Sequence, residues 1–266
     1  LAALAPCYVN DAFGSAHRAH ASTVGITQFL SDRAAGFLME KELSALGRLL
    51  TGAERPYVAI LGGAKVSGKI DVVRNLLPKV DKLLIGGGMM FTFLRARGSA
   101  IGKSLVEEDK VSLAKDLLGT PDGAKILLPV DCRVAADISG SDPGSVVSVS
   151  AIPPDKMGVD IGPASIEAIA AVLADARTVF WNGPMGVFET PAYAAGTVGT
   201  AREVASATRR GAFTVVGGGD SLAAVHTAGV DHQISHLSTG GGASLEFLEG
   251  RELPGVAALE GAEKAV

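Results

Sequence analysis

Residues 62–70 read GGAKVSGKI and come close to a phosphate-binding loop. Gly63, Gly68 and Lys69 match the Walker A pattern G-x-x-x-x-G-K-[ST], but Ile70 stands where that pattern has Ser or Thr. The missing hydroxyl would hold Mg²⁺ against the phosphates, and isoleucine has no oxygen to replace it. The segment is therefore either a damaged P-loop or a different kind of glycine and lysine segment.

Lys65 and Lys69 stand four residues apart where a helix is expected to begin. Side chains with this spacing lie on one face of a helix, so both ammonium groups could reach a single polyphosphate. An ordinary solvated helix face would explain the same pair without any ligand.

The segment GGGDSLAAVHTAG, residues 217–229, brings an acid and a hydroxyl to the start of a helix. Asp220 could bind Mg²⁺ and Ser221 could bond a phosphate. Capping of their own helix is the alternative role for both side chains. The two lysines, expected at another strand end of the same sheet edge, favour the ligand-binding interpretation.

The segment HRAH places His17, Arg18 and His20 in a loop. A His-x-x-His pair can bind a metal, but no third ligand stands nearby in the sequence. We expect an anion site instead, because the Arg18 guanidinium could bind a carboxylate or a phosphate through two hydrogen bonds.

Glu189 ends WNGPMGVFE and could accept hydrogen bonds from ribose hydroxyls, or it could simply begin a helix. The remaining histidines, His226, His232 and His236, have no catalytic spacing with a Ser or Cys nucleophile, so we interpret them as structural.

The elements that must position these residues are short apolar runs, each followed by a helical segment. The clearest runs are VAILGGA (58–64), KLLIGGG (82–88), TVFWNG (178–183), FTVVGGG (213–219) and ISHLSTGGG (234–242). Unbroken hydrophobicity predicts strands that are covered on both faces. The pattern predicts a parallel α/β sheet with helices on both faces, a Rossmann-like three-layer lobe. KILLPVD (125–131) supplies a further strand, and SVVSVS (145–150) suggests a small β insertion.

Glycines follow these strands at the edge of the sheet where open α/β folds bind ligands. Glycine lets backbone N–H groups approach a ligand, and the next helix N-terminus favours a phosphate. The repetition favours a nucleotide or a phosphorylated ligand over purely structural turns. A dinucleotide-binding oxidoreductase is disfavoured, because Phe91, Leu222 and Leu245 occupy the third-glycine positions of the near matches to G-x-G-x-x-G.

Composition limits the class of protein. The 266 residues, 47% hydrophobic and 20% charged, suffice for one large or two small globular domains. A net charge of −4 without a basic run argues against a nucleic-acid or membrane partner. Cys7 and Cys132 lack the spacing of a metal or disulfide site, which favours a reducing, cytoplasmic location. No apolar stretch approaches the length of a membrane span. The start at Leu1 suggests a piece of a longer protein.

Motifs along nearly the whole chain resemble one family. They are DAFGSAHRAHAST (11–23), LGGAKVSGKI (61–70), LLIGGGMMFTFL (83–94), DIGPASI (160–166), WNGPMGVFE (181–189), GGGDSLAAV (217–225) and STGGGASLEFLEG (238–250). In this order they closely resemble the phosphoglycerate kinase family. The resemblance identifies GGAKVSGK as the lysine segment of that family and assigns the metal ligand to Asp220.

The resemblance implies a two-lobed kinase that transfers the acyl phosphate of 1,3-bisphosphoglycerate to ADP, giving ATP and 3-phosphoglycerate, reversibly and with Mg²⁺. It implies an adenine pocket with Gly86, Gly87 and Gly158, a ribose contact at Glu189, phosphate contacts at Lys69, Asn182 and Ser221, and a nucleotide site that includes Gly63, Pro184, Gly218, Gly219 and Asp220. Lys65 would follow the transferring phosphoryl group, with backbone N–H groups of Gly218, Gly219 and the Gly240–Gly242 turn, Gly241 among them. Arg18, with His17 and His20 nearby, would hold the phosphorylated acid.

The same resemblance divides the chain into four parts. Residues 1–36 would be a remnant of the N-terminal substrate lobe and residues 37–52 a connecting, hinge-forming helix. Residues 53–252 would form the nucleotide-binding lobe, and the tail, residues 253–266, would pack back toward the N-terminal lobe. We expect a monomer.

Three departures from the family pattern stand out. Gly68 replaces a usual acid, and Ser221 replaces a frequent Thr while keeping the hydroxyl. The arginine-bearing motifs of the N-terminal lobe are expected before Leu1. Loss of a catalytic arginine costs roughly 10³ to 10⁵ in rate, so we expect this chain to bind nucleotide but transfer phosphate poorly. The alternative is a non-catalytic nucleotide-binding or structural fragment.

Overall fold

The structure is a computed structural model that describes residues 1–260. Its contacts divide the described chain into two compact units: residues 53–237, and residues 1–52 with residues 238–260. The predicted lobe of residues 53–252 is therefore divided, because residues 238–252 group with the first 52. One reason is that the backbone N–H and the hydroxyl of Thr239 both donate to the Glu42 carboxylate, at 2.9 and 3.2 Å.

A six-stranded sheet forms the centre of the 53–237 unit, in the order β11-β10-β9-β3-β4-β5. The strands are β3 (Tyr57–Leu61), β4 (Lys82–Ile85), β5 (Ile126–Leu127), β9 (Thr178–Asn182), β10 (Phe213–Gly217) and β11 (His236–Ser238). Strands β10, β9, β3, β4 and β5 pair in parallel. Every residue of β3 and β9 is buried, as their unbroken apolar sequences predict.

Helices alternate with these strands along the chain. They are α2 (Ile70–Leu76), α3 (Met89–Ala96), α4 (Val111–Gly119), α5 (Pro163–Leu173), α6 (Ala195–Arg209) and α7 (Gly219–Thr227). The predicted α/β class, with a parallel sheet flanked by helices, is confirmed. None of the helices described between residues 1 and 260 is long and apolar enough to cross a membrane.

A small antiparallel sheet interrupts the alternation. It has the order β7-β6-β8 and consists of β6 (Asp131–Ala135), β7 (Ser145–Ser148) and β8 (Met157–Ile161). The β insertion predicted at SVVSVS is therefore present. KILLPVD does not form one strand, however: β5 ends at Leu127 in the large sheet, and β6 starts at Asp131 in the small one. Pro129 stands between the two strands and has no N–H to continue a ladder.

The other unit contains β1 (Tyr8–Asn10), which pairs in parallel with β2 (Arg33–Ala35). Its helices are α1 (Phe37–Thr51), α8 (Gly242–Leu248) and α9 (Pro254–Glu260). The helix predicted over 37–52 is thus present. Within this unit the backbone N–H of Gly255 donates to the carbonyl of Ala16 at 2.8 Å, so the described part of the predicted tail packs against the chain's first residues. Residues 261–266 of that tail lie outside the described residues.

The strand register brings three chain turns to one edge of the large sheet. Asn182 at the end of β9 is paired with Leu61 of β3 and with Gly217 of β10. The turn after β3 then crosses this edge, because Gly62 N–H donates to the Asn182 carbonyl at 2.9 Å. Residues 62–69 form the turn that crosses this edge.

The expectation that Lys65 and Lys69 share one face of a helix is wrong. Helix α2 begins only at Ile70, and Lys69 is its N-cap residue. Lys65 therefore lies in the turn before the helix, whereas Lys69 stands at the helix N-cap, so the two side chains do not share a helix face.

Two glycines of this turn differ in the space around them, which predicts opposite outcomes for alanine. A Cβ on Gly62 would lie 2.1 Å from the Pro184 carbonyl oxygen, whereas a Cβ on Gly68 would meet nothing within 4 Å. We expect Gly62→Ala to lower the free energy of unfolding by about 1–3 kcal/mol, because backbone must move. Gly68→Ala should leave it unchanged or raise it by up to about 1 kcal/mol. Urea denaturation of the pair checks this, and equal midpoints would contradict it.

Candidate functional site

A cavity of about 440 Å³ opens in the 53–237 unit, at the edge where the strands end. Its wall combines glycine backbone, apolar side chains and a few acids. The lining residues are Gly63, Ala64, Gly87, Gly88, Met90, Phe91, Leu105, Ile138, Met157, Gly158, Val159, Asp160, Pro184, Met185, Gly186, Val187, Glu189 and Asp220. Of the residues predicted for a nucleotide site, Gly63, Gly87, Gly158, Pro184, Glu189 and Asp220 are among them.

Glycines shape this wall because other groups approach them closely. Gly87 has φ of +64°, and a Cβ there would lie 2.5 Å from the backbone nitrogen of Gly63. A Cβ on Gly158 would lie 2.0 Å from Cζ of Phe91. Gly86 is buried just behind the wall, against the Met185 side chain. The adenine-pocket glycines predicted from the sequence are therefore brought together around one aromatic ring and one backbone crossing.

An apolar slot within the cavity was missed by the sequence analysis. Phe91, Leu105, Met157 and Val187 line it, and the 57%-exposed Ile138 stands at the rim. In the sequence, Phe91 was notable only because it occupies the third-glycine position of a near match to G-x-G-x-x-G. Apolar residues that surround a cavity have the same sequence signature as core residues. A mostly apolar cavity with a few polar groups is typical of a small-molecule site.

Two exposed carboxylates, Glu189 and Asp220, stand on the same wall. Asp220 lies in the first turn of α7. Among residues 1–260 no group of three or more His, Cys, Asp or Glu side chains could hold a metal. A lone carboxylate fits Mg²⁺ that arrives on phosphates, because this ion commonly takes one or two carboxylates and fills its other positions with phosphate oxygens and water.

Lys69 is half-buried and joins two strand ends. Its Nζ donates to the carbonyl oxygens of Gly62 at 2.7 Å and Asn182 at 2.9 Å. Burial lowers the pKa of Lys69 to about 8, and the charge of Asp220 partly opposes the shift. Its Nζ would lie 3.5 Å from a Cβ on Gly63, so the ammonium sits just behind the cavity wall. Lys65, in contrast, is exposed and directly follows the wall residue Ala64.

The other residues predicted to contact phosphate connect the turns after β9 and β10. The Asn182 side-chain amide donates to the Gly217 carbonyl at 2.9 Å. The Ser221 hydroxyl, fully buried, accepts the N–H of Gly183 at 2.6 Å. Gly218 has φ of +92°, and a Cβ there would lie 2.9 Å from the Asn182 amide nitrogen. Asn182, Ser221 and Gly218 thus fix the turn that precedes α7.

The residues predicted to hold the phosphorylated acid lie in the other unit. There the structure brings His17 next to the glycine turn: a Cβ on Gly242 would lie 3.3 Å from His17 Nε2, and Gly241 has φ of +52°. His17 Nδ1 is buried, and none of the described residues hydrogen-bonds to it. Arg18 is exposed, and its backbone N–H donates to the Ser15 carbonyl at 3.0 Å.

Asp160 is a wall residue that sequence reasoning did not single out, although it opens the DIGPASI motif. It ends up 2% exposed, with Oδ1 accepting the Ile161 N–H at 2.9 Å and Oδ2 accepting the Gly196 N–H at 2.6 Å. Burial raises the pKa of Asp160 to about 7, and these two hydrogen bonds partly oppose the shift. Asp160 thereby fixes the start of α6 against the cavity.

Comparison with known proteins gives a consistent result. A family model described as Phosphoglycerate kinase matches residues 1–251. The chain is 58% identical over 264 residues to a phosphoglycerate kinase of Thermosynechococcus vestitus and 57% identical over 261 residues to one of Chlorobium chlorochromatii. These alignments cover 98% and 97% of this chain, and the chain spans about 66% of the length of each relative.

Solved structures give the same similarity. Phosphoglycerate kinase from Coxiella burnetii matches with a TM-score of 0.90 at 42% identity, over 97% of this chain and 66% of that one. The enzyme from Pyrococcus horikoshii matches with a TM-score of 0.83 at 35% identity, over 96% and 64%.

The raised pKa of Asp160 predicts a pH dependence of stability. The folded chain holds the Asp160 proton up to a pH of about 7, and the unfolded chain only up to about 4, so the stabilisation is full below about pH 4 and is lost by about pH 7. Compared with Asp160→Asn, which cannot titrate, the unsubstituted chain should lose unfolding free energy between about pH 4 and 7 and no more above about pH 7. Denaturation at several pH values tests this, with Asp116→Asn, an exposed position on α4, as the control. Parallel stability curves for the chain and Asp160→Asn would contradict the prediction.

Proposed function

The chain belongs to the phosphoglycerate kinase family, and we propose that it binds ADP or ATP, with Mg²⁺, in the cavity of the 53–237 unit. We further propose that this binding serves the reversible transfer of the acyl phosphate of 1,3-bisphosphoglycerate to ADP, which gives ATP and 3-phosphoglycerate. One observation carries the proposal: an apolar slot, two carboxylates and a lysine-bearing turn meet at the ligand-binding edge of one parallel sheet.

The apolar slot supports the adenine assignment. Phe91 and Leu105 offer apolar surface for a ring, and Gly87 and Gly158 keep the space between the walls open. Burial of a nucleobase against such walls contributes about 25 cal/mol for each Å² of apolar surface removed from water. We assign Glu189, an exposed residue of the same wall, as the acceptor of hydrogen bonds from ribose hydroxyls.

The phosphates would extend from the slot toward α7. Gly218 and Gly219 precede or begin this helix, and their N–H groups belong to its unsatisfied first turn. Asp220 would hold Mg²⁺, which neutralises phosphate charge when bound. Lys69 has three N–H donors and uses two of them on carbonyls, so one donor can serve a phosphate without release of the strand ends.

Phosphoryl transfer requires positioning and charge neutralisation more than covalent help from the protein. Lys65 is the group that we assign to the transferring phosphoryl, because it is exposed and adjoins the cavity wall. Gly218 and Gly219 would donate backbone N–H groups. In the other unit, His17 and the exposed Arg18 are assigned to the phosphorylated acid.

Two further assignments stay predictions. The monomeric state rests on the family resemblance alone. A cytoplasmic location is expected from the cysteine pattern, while one relative, 56% identical and from Volvox carteri, is described as chloroplastic.

A calorimetric titration with ADP tests the function. We expect saturable 1:1 binding that Mg²⁺ strengthens. Asp220→Asn should remove most of the gain from Mg²⁺, about tenfold in affinity, since the carboxylate is the proposed protein ligand of the ion. Asp116→Asn, which makes the same charge change on α4, should bind as the unsubstituted chain does. Absence of ADP binding would favour the structural-fragment alternative.

The lowered pKa of Lys69 predicts proton uptake on binding. The free chain loses the Lys69 proton near pH 8, and a neighbouring phosphate would favour the charged form and raise that pKa. ADP affinity should therefore fall as the pH rises through about 8, with proton uptake between about pH 8 and 9. Calorimetry in buffers of different ionisation enthalpy measures the uptake. Lys69→Arg stays charged and should show none, and equal uptake by both proteins would refute the assignment.

A further inference from the structure

Glu107 makes a two-point contact with the turn that carries both lysines. Its Oε1 accepts the Ser67 hydroxyl at 2.6 Å, and its Oε2 accepts the Ser67 backbone N–H at 3.0 Å. Ser67 lies between Lys65 and Lys69 in sequence. Hydrogen bonds to an ionised carboxylate are stronger than neutral ones, and two parallel bonds also fix orientation. One side chain, forty residues away in sequence, thus holds the middle of the turn.

The ends of the turn are anchored at Gly62, Gly63 and Lys69, and its middle, residues 65–68, depends on the Glu107 contact. Val66 is buried, but Lys65, Ser67 and Gly68 are exposed. Gly68 contributes no side chain that could bond to neighbouring groups. Between the buried Val66 and the start of α2, the hydroxyl and the backbone N–H of Ser67 both donate to Glu107.

Glu107 is itself fixed to the cavity. Its backbone N–H donates to the Thr92 hydroxyl at 3.2 Å, and Thr92 is buried in α3, the helix that begins beside the pocket glycines. Three residues earlier, the Ser104 hydroxyl accepts the Gly158 N–H at 2.9 Å. Between them Leu105 lines the apolar slot. The segment 104–107 therefore touches the slot, the Gly158 wall and the lysine turn.

Glu107 is ionised near neutral pH. Partial burial raises its pKa, but the hydrogen bonds from the Ser67 hydroxyl and from backbone N–H groups of Ser67 and Val66 outweigh that effect and keep the pKa below its ordinary value. The contact is thus present under the conditions in which the chain would bind a nucleotide.

We propose that Glu107 is a positioning residue for phosphate binding: through Ser67 it holds the lysine turn against the cavity, so that the ammonium groups meet the phosphates of a nucleotide bound in the slot. The inference rests on the proposed function. It assigns to Glu107 no contact with the ligand. Loss of Glu107 should therefore weaken the binding of a phosphorylated nucleoside and leave the binding of the bare nucleoside unchanged.

The test compares ADP and adenosine as probes by calorimetry on the full chain. Glu107→Ala should lower ADP affinity about tenfold, the cost of losing charge-assisted hydrogen bonds that order the turn, and change adenosine affinity less than about twofold. Glu107→Gln keeps one acceptor oxygen, so its ADP affinity should lie between that of Glu107→Ala and that of the unsubstituted chain. Glu108→Gln is the matched control for Glu107→Gln, since Glu108 faces Arg95 at 3.9 Å and should leave both affinities unchanged.

Hydrogen exchange gives a readout that does not depend on a ligand. The Ser67 amide should exchange about tenfold faster in Glu107→Ala than in the unsubstituted chain, and at the unsubstituted rate in Glu108→Gln. Ser67→Ala keeps the backbone bond and should weaken ADP binding less than Glu107→Ala. Adding Ser67→Ala to Glu107→Ala should cost nothing further, because the two changes remove one shared contact.

The outcomes separate the two proposals. Unchanged ADP affinity in Glu107→Ala, in a chain that binds ADP, overturns the positioning role alone. Equal losses for ADP and adenosine also overturn it, because they indicate a general loss of cavity structure. Failure of the unsubstituted chain to bind ADP overturns the proposed function and the positioning role with it. A selective loss of ADP affinity, partly restored by Glu107→Gln, supports the proposal.

Discussion

The Lys69 ammonium, held between the carbonyls that end β3 and β9, is the interaction on which the sheet edge depends. These two strands are neighbours in the sheet, and their last residues, Leu61 and Asn182, are paired in register. Carbonyl groups that leave a strand end lack a ladder partner, and burying them without a donor is costly. Lys69, at the N-cap of the next helix, supplies a donor to the Gly62 carbonyl, and it gives the Asn182 carbonyl a second donor beside the Gly62 N–H. The geometry also requires Gly183, because a Cβ there would lie 2.3 Å from Lys69 Nζ.

Burial acts on the two inner charges of the unit in opposite directions. It lowers the pKa of Lys69 to about 8 and raises that of Asp160 to about 7, so each group is brought toward its neutral form near physiological pH. Backbone dipoles then supply what solvent does not: carbonyls for the ammonium, and N–H groups for the carboxylate. The glycine turns therefore do more than make space, since their carbonyl and N–H groups solvate the charges.

The sheet could be predicted well because the signals for its strands are local in the sequence. Unbroken apolar runs that end in glycine identified the parallel strands, and Gly63, Gly87 and Gly158 line one cavity in the structure. The slot walls could not be predicted this way. Phe91 and Leu105 differ from core residues only in having a cavity beside them, and that depends on the absence of a side chain at Gly158, far away in sequence. The start of α2 was mispredicted because the turn before it is defined by long-range bonds to Asn182 and Pro184.

The net charge of the chain makes local geometry more important for anion binding. At −4, the chain as a whole repels a polyphosphate, so long-range attraction cannot be the source of affinity. The compensating positive charge has to be placed within a few ångströms of the phosphates, where salt screens it least. In the proposed site these charges would be Lys65, Lys69 and the first N–H groups of α7, which stand in turns or at a helix start. Turns keep charges in place only if other groups hold them. Such groups are present: the Gly183 N–H donates to the buried Ser221 hydroxyl, and the Ser67 hydroxyl donates to the Glu107 carboxylate.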